Sequence, residues 1–171
     1  VFKSCFAGIA GLALAAAIIA LPGGALAKDA DDVPYMDDRS TPEALIKSYY
    51  NAITRKAYSQ AYSYLHQPQV PYADWKKGYA DTEAVEVKTG PTQPDPGAGQ
   101  IFWALPVAVK AETTDGKTSI YSGCYTIHLI NPGMDIDPPY QPMQINSGVL
   151  NPTNLPFDQA VPTDCAEQPK L

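Results

Sequence analysis

Apolar and polar positions alternate most clearly between Gly99 and Asn131. Ile101, Trp103, Leu105, Val107 and Val109 fall on one face of an extended chain, and Phe102, Ala104, Pro106, Ala108 and Lys110 on the other. A second run follows Asp115-Gly116. It places Tyr121, Tyr125, Ile127 and Leu129 opposite Ile120, Cys124, Thr126, His128 and Ile130. Asp-Gly between two β-rich runs is a strong hairpin signal. The pattern predicts a long antiparallel hairpin whose first face points to the core. Pro106 has no N–H to donate, which predicts an edge or a bulge at that point. Both faces are partly apolar, so the sheet is expected to be covered on both sides in places.

Upstream, the period changes to that of a helix. Ser40-Thr41-Pro42-Glu43 combines a capping hydroxyl, a first-turn proline and an acid at the positive end of the dipole. Leu45, Ile46, Tyr49, Ala52 and Ile53 then recur on one face. Thr54-Arg55-Lys56 is a short break, and Tyr58, Ala61, Tyr62 and Leu65 predict a second helix at i, i+3, i+4, i+7. The connection is short enough to require a helical hairpin or a sharp kink. Tyr72 to Gly78 predicts one or two further turns ended by glycine. Tyr79 to Thr89 reads as a strand with Val85 and Val87 on one side, and the proline- and glycine-rich Gly90 to Gly99 as a loop. Met143 to Leu150 is the last strand expected; the chain after it is rich in proline.

The N-terminus changes the picture from fold to address. Lys3, the apolar run from Phe6 to Leu21, the Pro22-Gly23-Gly24 break and Ala25-Leu26-Ala27 form a signal-peptide pattern with cleavage before Lys28. The run is shorter than the roughly 20 residues a membrane span needs. The expected organisation is a signal peptide over 1–27, a flexible acidic leader over 28–39, a folded domain over 40–150 and a tail over 151–171. The location implied is periplasmic or secreted, in a bacterium, with no membrane attachment after cleavage. The chain from Lys28 carries 11 basic and 18 acidic residues, hence a net charge of −7. Such a balance disfavours nucleic acid and anionic membrane surfaces as partners. Two cysteines, Cys124 and Cys165, follow the cleavage point. In an oxidising compartment they read as a disulfide worth about 4 kcal/mol by loop entropy; otherwise they are two buried thiols. Cysteine and histidine spacing does not fit a zinc finger, and Asp135 and Asp137 supply too few oxygens for calcium. No cofactor is expected.

A helical hairpin, a short third helix and then three or four long antiparallel strands resemble the nuclear transport factor 2-like superfamily over Ser40 to Leu150. The local text carrying the likeness is Tyr49-Tyr50-Asn51-Ala52-Ile53, Tyr58-Ser59-Gln60-Ala61-Tyr62, Gly78-Tyr79-Ala80-Asp81-Thr82 and Tyr121-Ser122-Gly123-Cys124-Tyr125-Thr126. It is similar to small secreted bacterial members of that superfamily. The resemblance implies an α+β cone or roll: N-terminal helices packed in a curved antiparallel sheet of three to five strands. The superfamily includes isomerases and dehydratases as well as non-enzymatic binding and accessory domains. Its enzymes place a carboxylate or histidine inside the cone opposite a tyrosine or protonated acid. Here the inward strand positions are apolar or aromatic.

Candidate chemistry follows from this. His128 is the titratable group best suited to act as a general base near neutral pH. Asp81, beside Tyr79, is a second candidate because an acid among aromatic rings can hold its proton; Asp74 beside Trp75 has the same local setting. His66 is expected to meet the negative end of the second helix. Tyrosine outnumbers phenylalanine eleven to four. Tyr49, Tyr62, Trp75, Tyr79, Trp103, Tyr121 and Tyr125 therefore form a candidate lining with apolar faces and polar tips. The reading is a non-enzymatic domain that binds a small apolar or aromatic ligand, or an envelope protein partner, or a second copy of itself as a homodimer. Its alternatives are an isomerase- or dehydratase-type enzyme and a structural accessory domain of the envelope.

Overall fold

The structure is a computed structural model that describes residues 33–134 and 137–165. The signal-peptide pattern, the first part of the leader, Asp135 and the end of the tail lie outside the described residues. Three helices come first: α1 (Pro42–Thr54), α2 (Tyr58–Tyr62) and α3 (Tyr72–Lys77). Five strands follow: β1 (Thr82–Thr89), β2 (Pro94–Gly97), β3 (Gln100–Thr113), β4 (Thr118–Ile130) and β5 (Gln144–Pro152). All pair antiparallel in the order β1-β3-β4-β5, with β2 lying beside β3 beyond the end of β1. The fold class is α+β. Among the described residues, no helix is long and apolar enough to cross a membrane.

Helix α1 begins as its sequence dictates. The Thr41 hydroxyl accepts the Ala44 N–H at 3.2 Å and Pro42 occupies the first turn. The helix closes when the Ala57 N–H reaches the Ala52 carbonyl (2.8 Å) and the Lys56 N–H the Ile53 carbonyl (2.9 Å). That closure puts Lys56 in the left-handed region at φ 59°, where glycine is the usual residue. The Lys56 ammonium donates to the Thr82 carbonyl and so fastens the helix end to the start of β1. Leu45, Ile46, Ala52 and Ile53 of α1 join Leu105, Val107, Val109, Tyr125 and Ile127 in one buried cluster. Each large aliphatic side chain buried there contributes about 1.5–3 kcal/mol. The alternation in β3 and β4 brings Trp103, Leu105, Val107, Val109, Tyr121, Tyr125, Ile127 and Leu129 to this core; Ile101, expected on the same face, is outside it.

The opposite face of the sheet is covered by the tail. Cys124 is disulfide-bonded to Cys165 with Cα atoms 5.9 Å apart. Between them, Val161 lies over Gly90 and Pro106, and Phe157 sits beneath the ammonium groups of Lys88 and Lys110. Pro106, Ala108 and Cys124, which point away from the helices, are buried by this strap. The two-sided apolarity of the hairpin therefore has a separate cover on each side.

Four local expectations are corrected. The second helix stops at Tyr62, so Leu65 is not on its stripe; residues 64–66 instead join the open edge of β5. The His66 N–H donates to the Ile145 carbonyl and the Ile145 N–H to the Tyr64 carbonyl, both at 2.8 Å. Satisfying a sheet edge outcompetes one more turn of a helix that Pro68 would end. The first strand starts at Thr82, after a turn over residues 78–81. The expected loop contains β2, whose prolines are tolerated because the strand lies at an edge. Ala98 (φ 50°) and Gly99 (φ 78°) turn it into β3. Lastly, residues 33–39 are ordered against the helices: Asn51 donates to the Pro34 carbonyl (2.9 Å), Asp38 N–H to the Ser48 hydroxyl (2.8 Å) and Tyr64 to the Asp37 carboxylate (2.9 Å). Pro106 lies in unbroken register with Cys124, but β1 ends and β2 begins across from it, with the Gly90 N–H on its carbonyl (2.8 Å). The expected edge or bulge is therefore not in Pro106's own strand; the break lies in the segment between β1 and β2.

Candidate functional site

Two groups of side chains carry chemistry, one on each face of the sheet. On the helix-covered face, α1 supplies Tyr49 and Tyr50, the turn after α3 supplies Tyr79, and β4 supplies Tyr125. Their hydroxyls pair off: Tyr49 with Tyr79 at 2.7 Å and Tyr50 with Tyr125 at 2.5 Å. Gly148 in β5 lies opposite Tyr125 because a Cβ there would stand 2.3 Å from its ring. Burial raises the pKa of Tyr49, Tyr50 and Tyr125, and for Tyr49 and Tyr50 the neighbouring tyrosines raise it further. Tyr79 is raised by burial and eased by its bond to Tyr49. All four are neutral hydroxyls near pH 7, able to donate or accept.

Trp75 lies over this group. Its ring centroid is 5.0 Å from that of Tyr79, 6.4 Å from Tyr49, 5.3 Å from Tyr62 and 6.2 Å from Tyr72. It is the half-buried residue of α3, whose other residues are exposed. The helix is held to the domain by the Trp75 indole, with the Tyr72 ring against Tyr62 (5.3 Å) and the Lys76 ammonium over Tyr58 (5.2 Å) beside it. Tyr49, Tyr62, Trp75, Tyr79 and Tyr125 of the expected lining come together here. Trp103 and Tyr121 pack on the core without ring contact to the group among the described residues. Tyr50 and Tyr72 belong to it and were outside the expected set. Tyr50 follows Tyr49 directly, and a single-stripe reading of α1 leaves it out.

His128 stands on the other face. It is three residues from Tyr125 in an unbroken ladder, which turns its side chain away from the tyrosines. It is directly opposite Phe102 on β3 and Gln144 on β5. The added edge segment brings His66 to it, with ring centroids 4.7 Å apart. His128 Nε2–H donates to Gln100 Oε1 at 2.7 Å, and His66 Nδ1–H to Gln144 Oε1 at 3.1 Å. The Gln144 amide N–H is directed at the Leu65 carbonyl (3.4 Å), which fixes its oxygen toward His66. His66 thus meets a glutamine rather than a helix end. Burial, then the neighbouring His66, lowers the His128 pKa, so the ring is neutral near pH 7. An open groove of about 340 Å³ runs along the pair, lined also by Ala98, Gly99, Gln100, Ile130 and Met134.

The candidate acids lie elsewhere. Asp81 is exposed, with its carbonyl accepting the Thr114 N–H at 2.9 Å. Asp74 is exposed and paired with Lys77 at 2.7 Å. Among the described residues, no buried side-chain nitrogen or oxygen lacks a partner, and no three of His, Cys, Asp and Glu cluster. Comparison of the chain with protein-family models, with curated proteins and with solved structures finds no match.

Proposed function

We propose that this chain is a non-enzymatic binding domain, exported to the periplasm or beyond, that takes a small aromatic ligand beneath α3. The observation that carries the reading is the convergence of paired hydroxyls from three buried tyrosines and the half-buried Tyr79 beside a short helix whose Trp75 is its one half-buried residue. Phenylalanines would fill the same space. Hydroxyls that satisfy one another when the site is closed can turn to a ligand's single polar group, while the rings accept its flat face. The cone-like curvature that the nuclear transport factor 2-like resemblance implies would place this group at the mouth of the concavity. A binding role is preferred to proton transfer because His128 points to the opposite face and Asp81 to solvent.

The test is a titration of the isotopically labelled protein with phenol and with indole, followed by amide NMR. Saturable shifts over residues 72–79 are expected, weakened by Tyr79→Phe and abolished by Trp75→Ala. Shifts that do not saturate, or that ignore both substitutions, would overturn the proposal.

A further inference from the structure

We propose that His66, His128 and Met134 form a binding site for monovalent copper on the face of the sheet away from the tyrosines. This site is independent of the aromatic one. The two imidazole rings lie 4.7 Å apart, centroid to centroid, beside the groove. Each donates one ring N–H to a glutamine oxygen, which fixes the tautomer and leaves Nε2 of His66 and Nδ1 of His128 to coordinate. Both glutamines are themselves placed by the sheet: Gln144 is paired with His128 across β4 and β5, and Gln100 opens β3. His128 is 6 % exposed, so its ring is held by packing.

The third ligand comes from the turn after β4. The Asn131 N–H donates to the Gly99 carbonyl (2.9 Å) and the Met134 N–H to the Asn131 carbonyl (2.7 Å). These bonds bring Met134 over Gly99, where a Cβ would lie 3.4 Å from its side chain, and into the groove that the two histidines line. At 66 % exposed, the Met134 side chain is free to close onto an ion.

The donor set selects the metal. Imidazole nitrogens suit copper and zinc, a thioether is a soft ligand, and among the described residues no carboxylate lines the groove. Calcium and magnesium want oxygen, and structural zinc wants four ligands from cysteine, histidine and acids. A soft cation that accepts two or three ligands, Cu(I), matches what is present. Cys124 and Cys165 are bonded to each other and do not compete for it.

The experiment is a Cu(I) titration of the full chain, with ascorbate as reductant and bicinchoninate as the competing chromophore. Wild type, Met134→Leu, Gln100→Leu and the double variant His66→Gln/His128→Gln are compared. Every variant carries Cys5, so copper held there is common to all and subtracts. One equivalent dependent on the histidines is expected, with affinity reduced roughly 10–100-fold by Gln100→Leu through loss of the orienting partner. A sulfur scatterer in the copper X-ray absorption spectrum should vanish in Met134→Leu, an exposed position that leaves folding intact. Equal binding by wild type and the double variant would overturn the site. So would tighter zinc than copper binding at these residues, or a spectrum unchanged by Met134→Leu.

Discussion

At the scale of single residues, the tyrosine pairs decide how tolerant the interior is. Tyr50 and Tyr125 each satisfy the other's hydroxyl in a buried place. Removing one hydroxyl strands its partner, at about 1–3 kcal/mol. Removing both leaves two rings of the same shape and is close to neutral. Urea midpoints of Tyr50→Phe, Tyr125→Phe and the double variant should therefore be non-additive, with the double variant more stable than either single one. Simple additivity would mean that the pair does not exist in solution. Tyr64 shows the same principle with a charged partner. Its hydroxyl donates to Asp37, and burial, the larger effect, pushes its pKa up to about 12.

Elements are where local preference and tertiary context disagree. The turn from β2 to β3 is the clearest case. Ala98 adopts φ 50° beside Gly99 at φ 78°. A left-handed conformation costs an L-residue roughly 1–2 kcal/mol and costs glycine almost nothing. Ala98→Gly should raise the melting temperature, offset in part by the greater freedom of glycine in the unfolded chain. A lowered melting temperature would show that this turn has another geometry in solution. The strand before it escapes a periodicity reading because proline and glycine dominate its text, yet an edge position needs fewer donors. The end of α2 escapes for the opposite reason: its stripe continues to Leu65, but β5 offers hydrogen bonds that sequence spacing does not reveal.

For the whole molecule, the tail is a strap rather than an appendage. It closes a face on which Pro106, Ala108 and Cys124 would otherwise meet water. Its attachment through Cys165 closes a loop with a sequence separation of 41, so Cys165→Ser should lower unfolding free energy by about 2–4 kcal/mol. Hydrogen exchange should then accelerate in residues 157–161 before the rest of the domain. An unchanged urea midpoint would show that packing of Phe157 and Val161 alone holds the strap. The salt bridges contribute little to this, because they lie mostly at the exposed rim.

The sequence by itself determined those features whose physics is local. The cap and start of α1 follow from Thr41 and Pro42, the hairpin from Asp115-Gly116, and the inner face of β3 and β4 from strict alternation. The cysteine pair was legible because only two such residues follow Lys28 in the sequence. What tertiary structure decided is proximity across the chain. Tyr50 meets Tyr125 across 75 residues, and His66 meets His128 only because residues 64–66 leave the helix for the edge of β5. The expected lining divides for the same reason, since one-residue alternation sends Tyr125 and His128 to opposite faces. Spacing along a strand tells which residues share a face. It does not tell which other segment will cover that face, because cover is settled by competition among distant surfaces for burial and for unpaired backbone groups.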